Sequence, residues 1–171
     1  SGYNGYGQLG DGSTTTRTSA VQVRNLTDVK QVIAGSYSSC ALKNNGTVWC
    51  WGYNSYGNLG DGTTSRRTSP VQVRGLTNVS EIASGRIHKC ARKSDGTVWC
   101  WGYHGYGQIG DGSTSNRTTA RQVRGLTGAA NVTAGVNHSC ARLSNGAAKC
   151  WGYGYYHNVT NTSSRSFRYT T

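Results

Sequence analysis

The chain repeats itself every 50 residues, and this period restricts its fold more than any other feature. The segment GYNGYGQLGDGSTTTRTSAVQV, which starts at Gly2, aligns without a gap with GYNSYGNLGDGTTSRRTSPVQV from Gly52 and GYHGYGQIGDGSTSNRTTARQV from Gly102. After Gly152 only the opening Gly-Tyr-x-x-Tyr persists. A fixed period of this length is the signature of a repeat architecture. The chain therefore divides into three full units, residues 1–51, 52–101 and 102–151, and a divergent tail, residues 152–171.

The residues inside each unit predict short β-strands. β-branched and aromatic runs alternate with clusters of Gly, Asn, Asp, Ser and Thr, and no stretch has apolar residues at helical spacing. In the middle unit the predicted strands are 71–73, 79–83, 87–93 and 97–101. Four strands in about 40–50 residues are typical of a β-propeller blade. We therefore expect an all-β fold of three four-stranded antiparallel blades with a divergent tail.

Three blades are too few to close a ring, which needs about four. We therefore expect an open array, or one completed by blades of other chains or of a longer protein. Ser1 stands where the repeat has a tryptophan, so we expect a mature product or an excerpt. The polar tail has too few β-forming residues for a whole blade. At most, residues 166–169 supply one strand to the first blade or to another chain.

The spacing of the six cysteines predicts three disulfides within hairpins. A type I turn at Asn44-Asn45-Gly46 with a bulge at the glycine pairs Lys43 with Thr47. Counting outward brings Cys40 opposite Cys50 in a non-hydrogen-bonded pair, whose Cα atoms lie about 4.5 Å apart, within reach of a disulfide. The predicted pairs are Cys40–Cys50, Cys90–Cys100 and Cys140–Cys150. Each bond closes a loop worth about 2.5–3 kcal/mol in the chain-entropy model.

The alternative for these cysteines is a zinc site, but zinc ligands usually stand two to four residues apart, and here nine residues separate each pair. Neither a metal nor a cofactor is therefore expected. Three disulfides indicate an oxidising compartment, so we expect a secreted, extracellular or cell-surface protein. No apolar run is long enough for a membrane span.

N-x-S/T sequons are more frequent than chance predicts, and they do not fall in equivalent columns of the repeat. Two interpretations stay open: a polar, threonine-rich surface, or a glycosylated extracellular protein. The candidate glycosylation sites are Asn25, Asn45, Asn78, Asn116, Asn131, Asn137, Asn158 and Asn161.

The chain has 18 Lys and Arg residues against 6 Asp and Glu residues, a net charge of +12. Part of this charge recurs in two columns, Arg17, Arg67, Arg117 and Arg24, Arg74, Arg124. Such columns become arcs of positive potential that attract an acidic protein, an acidic glycan or nucleic acid. The alternative is a solvated basic rim, and the disulfides make nucleic acid an unlikely partner.

Three further columns have structural explanations. Asp11, Asp61 and Asp111 stand in Gly-Asp-Gly-Ser/Thr, where an Asx turn accounts for the aspartate. Trp51, Trp101 and Trp151 are expected in the core between blades. Two tyrosine columns either pack on the neighbouring blade or offer platforms for sugar rings. These are Tyr3, Tyr53, Tyr103 and Tyr6, Tyr56, Tyr106.

The repeat resembles that of the regulator of chromosome condensation (RCC1) family, over residues 2–153. The segment WGYNSYGNLGDGT, followed by SPVQVRGLTNVSEIASGRIHKCARKSDGTVWCWG, carries the resemblance. A cysteine pair around DGTVW is similar to the bacterial, extracytoplasmic members. The resemblance implies a seven-bladed propeller. It also implies relatives that include the nuclear exchange factor for the GTPase Ran and secreted bacterial proteins that bind and inhibit β-lactamases.

No catalytic constellation is apparent, so we do not expect an enzyme. All six cysteines have structural partners, no histidine recurs in all three units, and the glycine-rich stretches lack the lysine of a phosphate loop. The leading hypothesis is a non-catalytic extracellular scaffold that binds protein and assembles into a homo-oligomer or fibre. The alternatives are a carbohydrate-binding propeller that uses the tyrosine and arginine columns, and a GTPase-exchange regulator, which follows from the resemblance alone.

The hairpin pairing predicts that the intact protein is about 6 Da lighter than its fully reduced form, since each of six cysteines loses a hydrogen atom in forming a disulfide. Mass spectrometry of a non-reduced digest is expected to link each cysteine to its hairpin partner. A linkage between different repeats, or alkylation without a reductant, would contradict the register.

Overall fold

The computed structural model describes residues 2–156 and 165–169, which contain strands, turns and loops. The strands are β1 Val29–Ala34, β2 Ser38–Lys43, β3 Val48–Gly52, β4 Arg67–Gln72, β5 Val79–Ser84, β6 His88–Lys93, β7 Val98–Gly102, β8 Arg117–Gln122, β9 Ala129–Ala134, β10 His138–Leu143, β11 Ala148–Tyr156 and β12 Arg165–Tyr169. They form three four-stranded antiparallel sheets in the orders β1-β2-β3-β4, β5-β6-β7-β8 and β9-β10-β11-β12. The predicted all-β fold with four-stranded blades is confirmed.

Each of the first two sheets takes its fourth strand from the following 50-residue unit. Cys50 pairs with Val71 and Trp49 with Gln72, so β4 closes the first sheet although it lies in the second unit. β8 closes the second sheet in the same way. The strand predicted at residues 71–73 therefore begins earlier, at Arg67, and pairs with the preceding unit. This exchange ties consecutive units together through main-chain hydrogen bonds.

The hairpin of β2 and β3 has the predicted register. Lys43 donates its main-chain N–H to the Thr47 carbonyl at 2.9 Å, and Gly46 takes the left-handed conformation that the turn requires (φ 76°). Cys40 lies opposite Cys50, and equivalent turns align the other two pairs. The disulfides Cys40–Cys50, Cys90–Cys100 and Cys140–Cys150 join Cα atoms 4.0, 4.1 and 4.0 Å apart.

Apolar side chains between neighbouring sheets form the core. Leu42 and Val48 of the first sheet pack against Val79 and Ile82 of the second, in a cluster that also contains Trp101. A second cluster repeats this arrangement between the second and third sheets. The three tryptophans expected in the core, Trp51, Trp101 and Trp151, are buried.

The first strand of each sheet, β1, β5 or β9, is its inner strand. A side chain of β1 and one of β5 also form hydrogen bonds with the backbone of the following inner strand. The Gln31 amide donates to the Ile82 carbonyl and accepts from the Ile82 N–H, both at 2.9 Å. One unit later, Glu81 accepts the Val132 N–H at 3.2 Å and the Asn131 amide. The sheets are therefore joined by directional bonds as well as by apolar contact.

The tail contributes a strand at a different place from the predicted one. β12 pairs with residues 152–156 of β11 and so becomes the fourth strand of the third sheet. The prediction that it joins the first blade or another chain was wrong. The physical reason is that β11 has nine residues, whereas β3 and β7 have five, so its extension offers an edge of its own for pairing.

Candidate interaction surface

The first arginine column is part of the loop scaffold. Asp61 Oδ1 accepts the Thr63 N–H at 3.0 Å in the expected Asx turn, and its Oδ2 accepts Arg67 Nε at 2.9 Å. The equivalent carboxylates Asp11 and Asp111 make the same pairs with Arg17 and Arg117. The positive charges of this column are thus neutralised within the fold.

The pKa values of these carboxyl groups reflect their partners. Hydrogen bonds from Ser13 and then from Arg17 lower the pKa of Asp11 to about 2. Burial raises the pKa of Asp111, but hydrogen bonds from Arg117, Ser113 and His104 outweigh it and bring the value to about 2. The aspartates therefore stay ionised at any physiological pH.

The arginines of the second column differ from those of the first in having no carboxylate partner among the described residues. Arg24, Arg74 and Arg124 are exposed, and within the described residues they form no ion pair. Each guanidinium group lies against a glycine of the Gly-Asp-Gly turn; a Cβ atom on Gly12 would stand 2.9 Å from an Arg24 guanidinium nitrogen. These three side chains are the members of the two columns that are available to an acidic partner.

The two tyrosine columns form one continuous ladder across the three sheets. Ring centroids of successive members lie between 5.1 and 6.1 Å apart, mostly edge to face. The order is Tyr3, Tyr6, Tyr53, Tyr56, Tyr103, Tyr106 and Tyr153. The rings pack on one another across the sheets, and Tyr3 and Tyr106 still expose 62% and 44% of their area. A role as platforms for sugar rings stays a prediction.

Sequence reasoning missed two members of this ladder. Tyr153 continues the column of Tyr53 and Tyr103 into the tail, and its ring stacks on Tyr106. Tyr37 lies in the loop between β1 and β2 and contacts Tyr6 and Tyr53. The 50-residue period indicates Tyr153, which stands 50 residues after Tyr103. It could not signal Tyr37, because the equivalent positions hold Ile87 and Asn137.

The sequons occupy different environments. Asn25, Asn45, Asn78 and Asn116 are exposed, whereas Asn131 and Asn137 are half-buried. The Asn131 amide is also bound to Glu81 across a sheet boundary. Asn158 and Asn161 lie outside the described residues. Glycosylation at the eight positions stays a prediction.

His88 and Lys89 are buried polar side chains with different neighbours: His88 meets Ser139 of the third sheet, and the Lys89 ammonium lies beside Gly35 of the first unit. His88 Nε2 lies 2.9 Å from Ser139 Oγ, and burial, with the charge of Lys89 second, lowers the pKa of His88 to about 3. Lys89 is fully buried and donates to Ser84 Oγ at 2.7 Å. Burial lowers the pKa of Lys89 to about 7. Ser39 and Ser139 take the place of this lysine in the other units.

His104 and Asp111 are in contact, and both side chains also hold the backbone of their loop. His104 replaces the asparagines Asn4 and Asn54 of the earlier units. Its Nδ1 accepts the Ile109 N–H at 3.0 Å, and its Nε2 lies 3.0 Å from Asp111 Oδ1. Because Nδ1 already accepts a main-chain hydrogen bond, this imidazole has no free nitrogen to take a proton from a nucleophile.

Within the described part of the chain, no group of three or more His, Cys, Asp or Glu side chains is arranged to hold a metal ion. The same residues include no helix long and apolar enough to cross a membrane.

Family comparison agrees with this architecture. Residues 1–42, 45–92 and 95–142 match the regulator of chromosome condensation (RCC1) repeat, and residues 29–58, 79–108 and 129–158 match a second form of it. The chain belongs to the RCC1 repeat family. No curated protein matches it individually.

Solved RCC1-type propellers have the same fold. Human WBSCR16 is 25% identical with a TM-score of 0.76, covering 88% of this chain and 41% of that protein. Prp20p from Saccharomyces cerevisiae, studied for binding to Gsp1p and histones, is 22% identical with a TM-score of 0.73, covering 85% and 39%. Yeast RCC1 (Prp20) bound to Kap60 gives the same identity and TM-score, covering 85% and 37%. The chain thus spans about two fifths of these proteins.

The buried lysine predicts how the stability of these RCC1 blades depends on pH. Since the pKa of Lys89 is about 7 in the folded protein, and an unfolded lysine keeps its proton to about pH 10.4, the unfolded state binds more protons between these values. The free energy of unfolding should therefore rise by roughly 2 kcal/mol from pH 7 to pH 9. Urea denaturation measures it.

Lys89→Met is expected to abolish most of this rise, because it keeps the apolar stem and removes the amine. The matched variant Lys30→Met, at an exposed lysine of β1, should retain it. An equal rise in all three proteins would show that Lys89 is not the group responsible.

Proposed function

We propose that this chain is a non-catalytic, extracellular protein-binding scaffold whose blades stack against blades of further copies. The proposal is supported by the three hairpin disulfides, which suit an oxidising compartment, and by the repeated face-to-face packing of the sheets. Protein binding is also what solved relatives do: yeast RCC1 (Prp20) has been captured with Kap60.

The observation that carries self-association is the exposed face of the first sheet. Val32 exposes 61% of its area, whereas the equivalent Ile82 and Val132, each covered by the preceding sheet, expose 2% and 3%. Burying one such side chain is worth about 1.5–3 kcal/mol. Val29 adds to the same exposed face. A blade from a second copy would bury these residues as the first sheet buries Ile82.

The charge of the chain supports an acidic partner. Arg24, Arg74 and Arg124 form a column of unpaired guanidinium groups within the described residues, and the whole chain carries a net charge of +12. Such a column steers carboxylate-rich surfaces of proteins or glycans towards the array. Nucleic acid is not proposed, because disulfide-bonded proteins rarely work in compartments that contain it.

A second candidate function is carbohydrate binding, which the tyrosine ladder favours. Its rings run across all three sheets, and Tyr3, Tyr37 and Tyr106 are the most exposed. Flat tyrosine faces with a polar hydroxyl suit sugar rings. A glycan array separates this candidate from the first. A GTPase-exchange role rests only on analogy with the RCC1 family.

Self-association is tested by light scattering after size-exclusion chromatography. The mass is expected to rise above the 18.3 kDa of one chain between about 1 and 100 μM, because hydrophobic contact drives assembly by mass action. Val32→Lys should keep the protein monomeric by placing a charge on the contact face.

The control is Val136→Lys, because Val136 is comparably exposed at 57% but lies in the loop between β9 and β10 of the third sheet. It should associate like the unaltered protein. An 18 kDa monomer at every concentration, or equal effects of the two variants, would defeat the proposal.

A further inference from the structure

The third hairpin lacks an indole that the first two hairpins share. Trp99 Nε1 donates to Thr97 Oγ1 at 3.0 Å, and the Lys93 ammonium lies 5.6 Å from the centroid of its ring. Trp49 is held in the same way by Thr47 and Lys43. In the third unit all three positions differ together, since they hold Leu143, Ala147 and Lys149.

A pocket opens where this indole packs in the preceding unit. Trp99 lies against the cluster that contains Val73, Leu76 and Trp101. The counterparts of those three residues, together with Lys149 and Cys150, line a pocket of about 310 Å³. They are Val123, Leu126 and Trp151, all nearly fully buried, so the floor of the pocket is apolar.

The rim of the pocket is cationic. Arg124 and Lys149 both line it, and neither forms an ion pair with any described residue. An aromatic ring that entered the pocket would meet an apolar floor and an ammonium group, which attracts the face of an aromatic ring. A carboxylate beside that ring would pair with the guanidinium group of Arg124. The chemistry selects an aromatic group with acidic neighbours.

The strand edge beside the pocket is also open among the described residues. In the first two sheets the fourth strand pairs with residues 49–52 and 99–102, and it places Gln72 and Gln122 opposite the two tryptophans. In the third sheet β12 pairs only with residues 152–156. Within the described residues the edge at 148–150 has no fourth strand beside it, and an edge of this kind accepts an extended peptide by β-strand addition. A residue opposite Lys149 would then point towards the same face as Lys149.

We propose that this pocket and edge bind an extended segment of a protein partner, which inserts an aromatic side chain flanked by acidic residues. The inference rests on the proposed protein-binding function and specifies where and how one partner is held. Self-association uses the face of the first sheet, at the opposite end of the array, so the two activities can be separated.

The test is fluorescence anisotropy with the labelled peptide acetyl-Glu-Val-Trp-Val-Glu-amide. In an extended strand its tryptophan and both glutamates share one face. The full chain carrying Val32→Lys is used, so that self-association does not affect the signal. We expect saturable binding, at least tenfold weaker for the analogue with alanine in place of tryptophan and for the analogue with lysines in place of the glutamates.

Lys149→Trp restores the residue that the first two hairpins have at this position, and it should reduce affinity at least tenfold by filling the pocket. Lys149→Glu should transfer the preference to the lysine analogue, which a mere loss of folding cannot do. Arg124→Ala should weaken binding about threefold or more, whereas Arg74→Ala, at the equivalent position of the preceding unit, should not. Absence of saturable binding, or binding unchanged by Lys149→Trp, would overturn the site whatever the light scattering shows.

Discussion

Packing of each sheet against the next is the interaction on which the rest of this structure depends. A single four-stranded sheet has two faces and too little apolar area to bury by itself, so its stability comes from its neighbours. Ile82 and Val132 show the rule, since the preceding sheet removes almost all of their surface from water. Val32 shows its consequence, because the same position without a neighbour is exposed.

Polar side chains make this stacking specific. Gln31 and Glu81 bind main-chain groups of the next inner strand, and the fourth strand of each of the first two sheets comes from the following unit. These bonds fix the position of one sheet relative to the next, which apolar contact alone leaves free. Departures from the repeat are therefore informative. His104 accepts the Ile109 N–H as Asn54, at the equivalent position, accepts the Leu59 N–H, whereas Lys149 lines a pocket at the position where the first two hairpins have an indole.

The features that the sequence predicted well are local ones. The Asn-Gly and Asp-Gly turns determine the hairpin register, and the register determines which cysteines meet, so Cys40 and Cys50 could be paired by counting. The period then extended each local conclusion to three units. The burial of the tryptophan column could also be predicted. Successive side chains of a strand point to opposite faces, and a large apolar side chain is expected on the buried face.

Contacts between distant segments escaped prediction. Nothing in the sequence around Arg67 states that β4 pairs with the preceding unit, and the pairing of β12 depends on how far β11 extends. Arg17 and Arg24 look alike as repeated columns, yet only the first meets an aspartate, because that contact depends on how the loop folds back. Tyr37 joined the ladder without belonging to any column.

The central claim is that each sheet is stabilised by the neighbour that covers it, and hydrogen–deuterium exchange of the inner strands measures this directly. At concentrations where the chain is monomeric, amides of β1 should exchange about tenfold or more faster than those of β5 and β9, because only the latter two are covered by a preceding sheet. The protection of β1 should rise as the concentration increases. Equal protection of the three strands in the monomer would contradict the account.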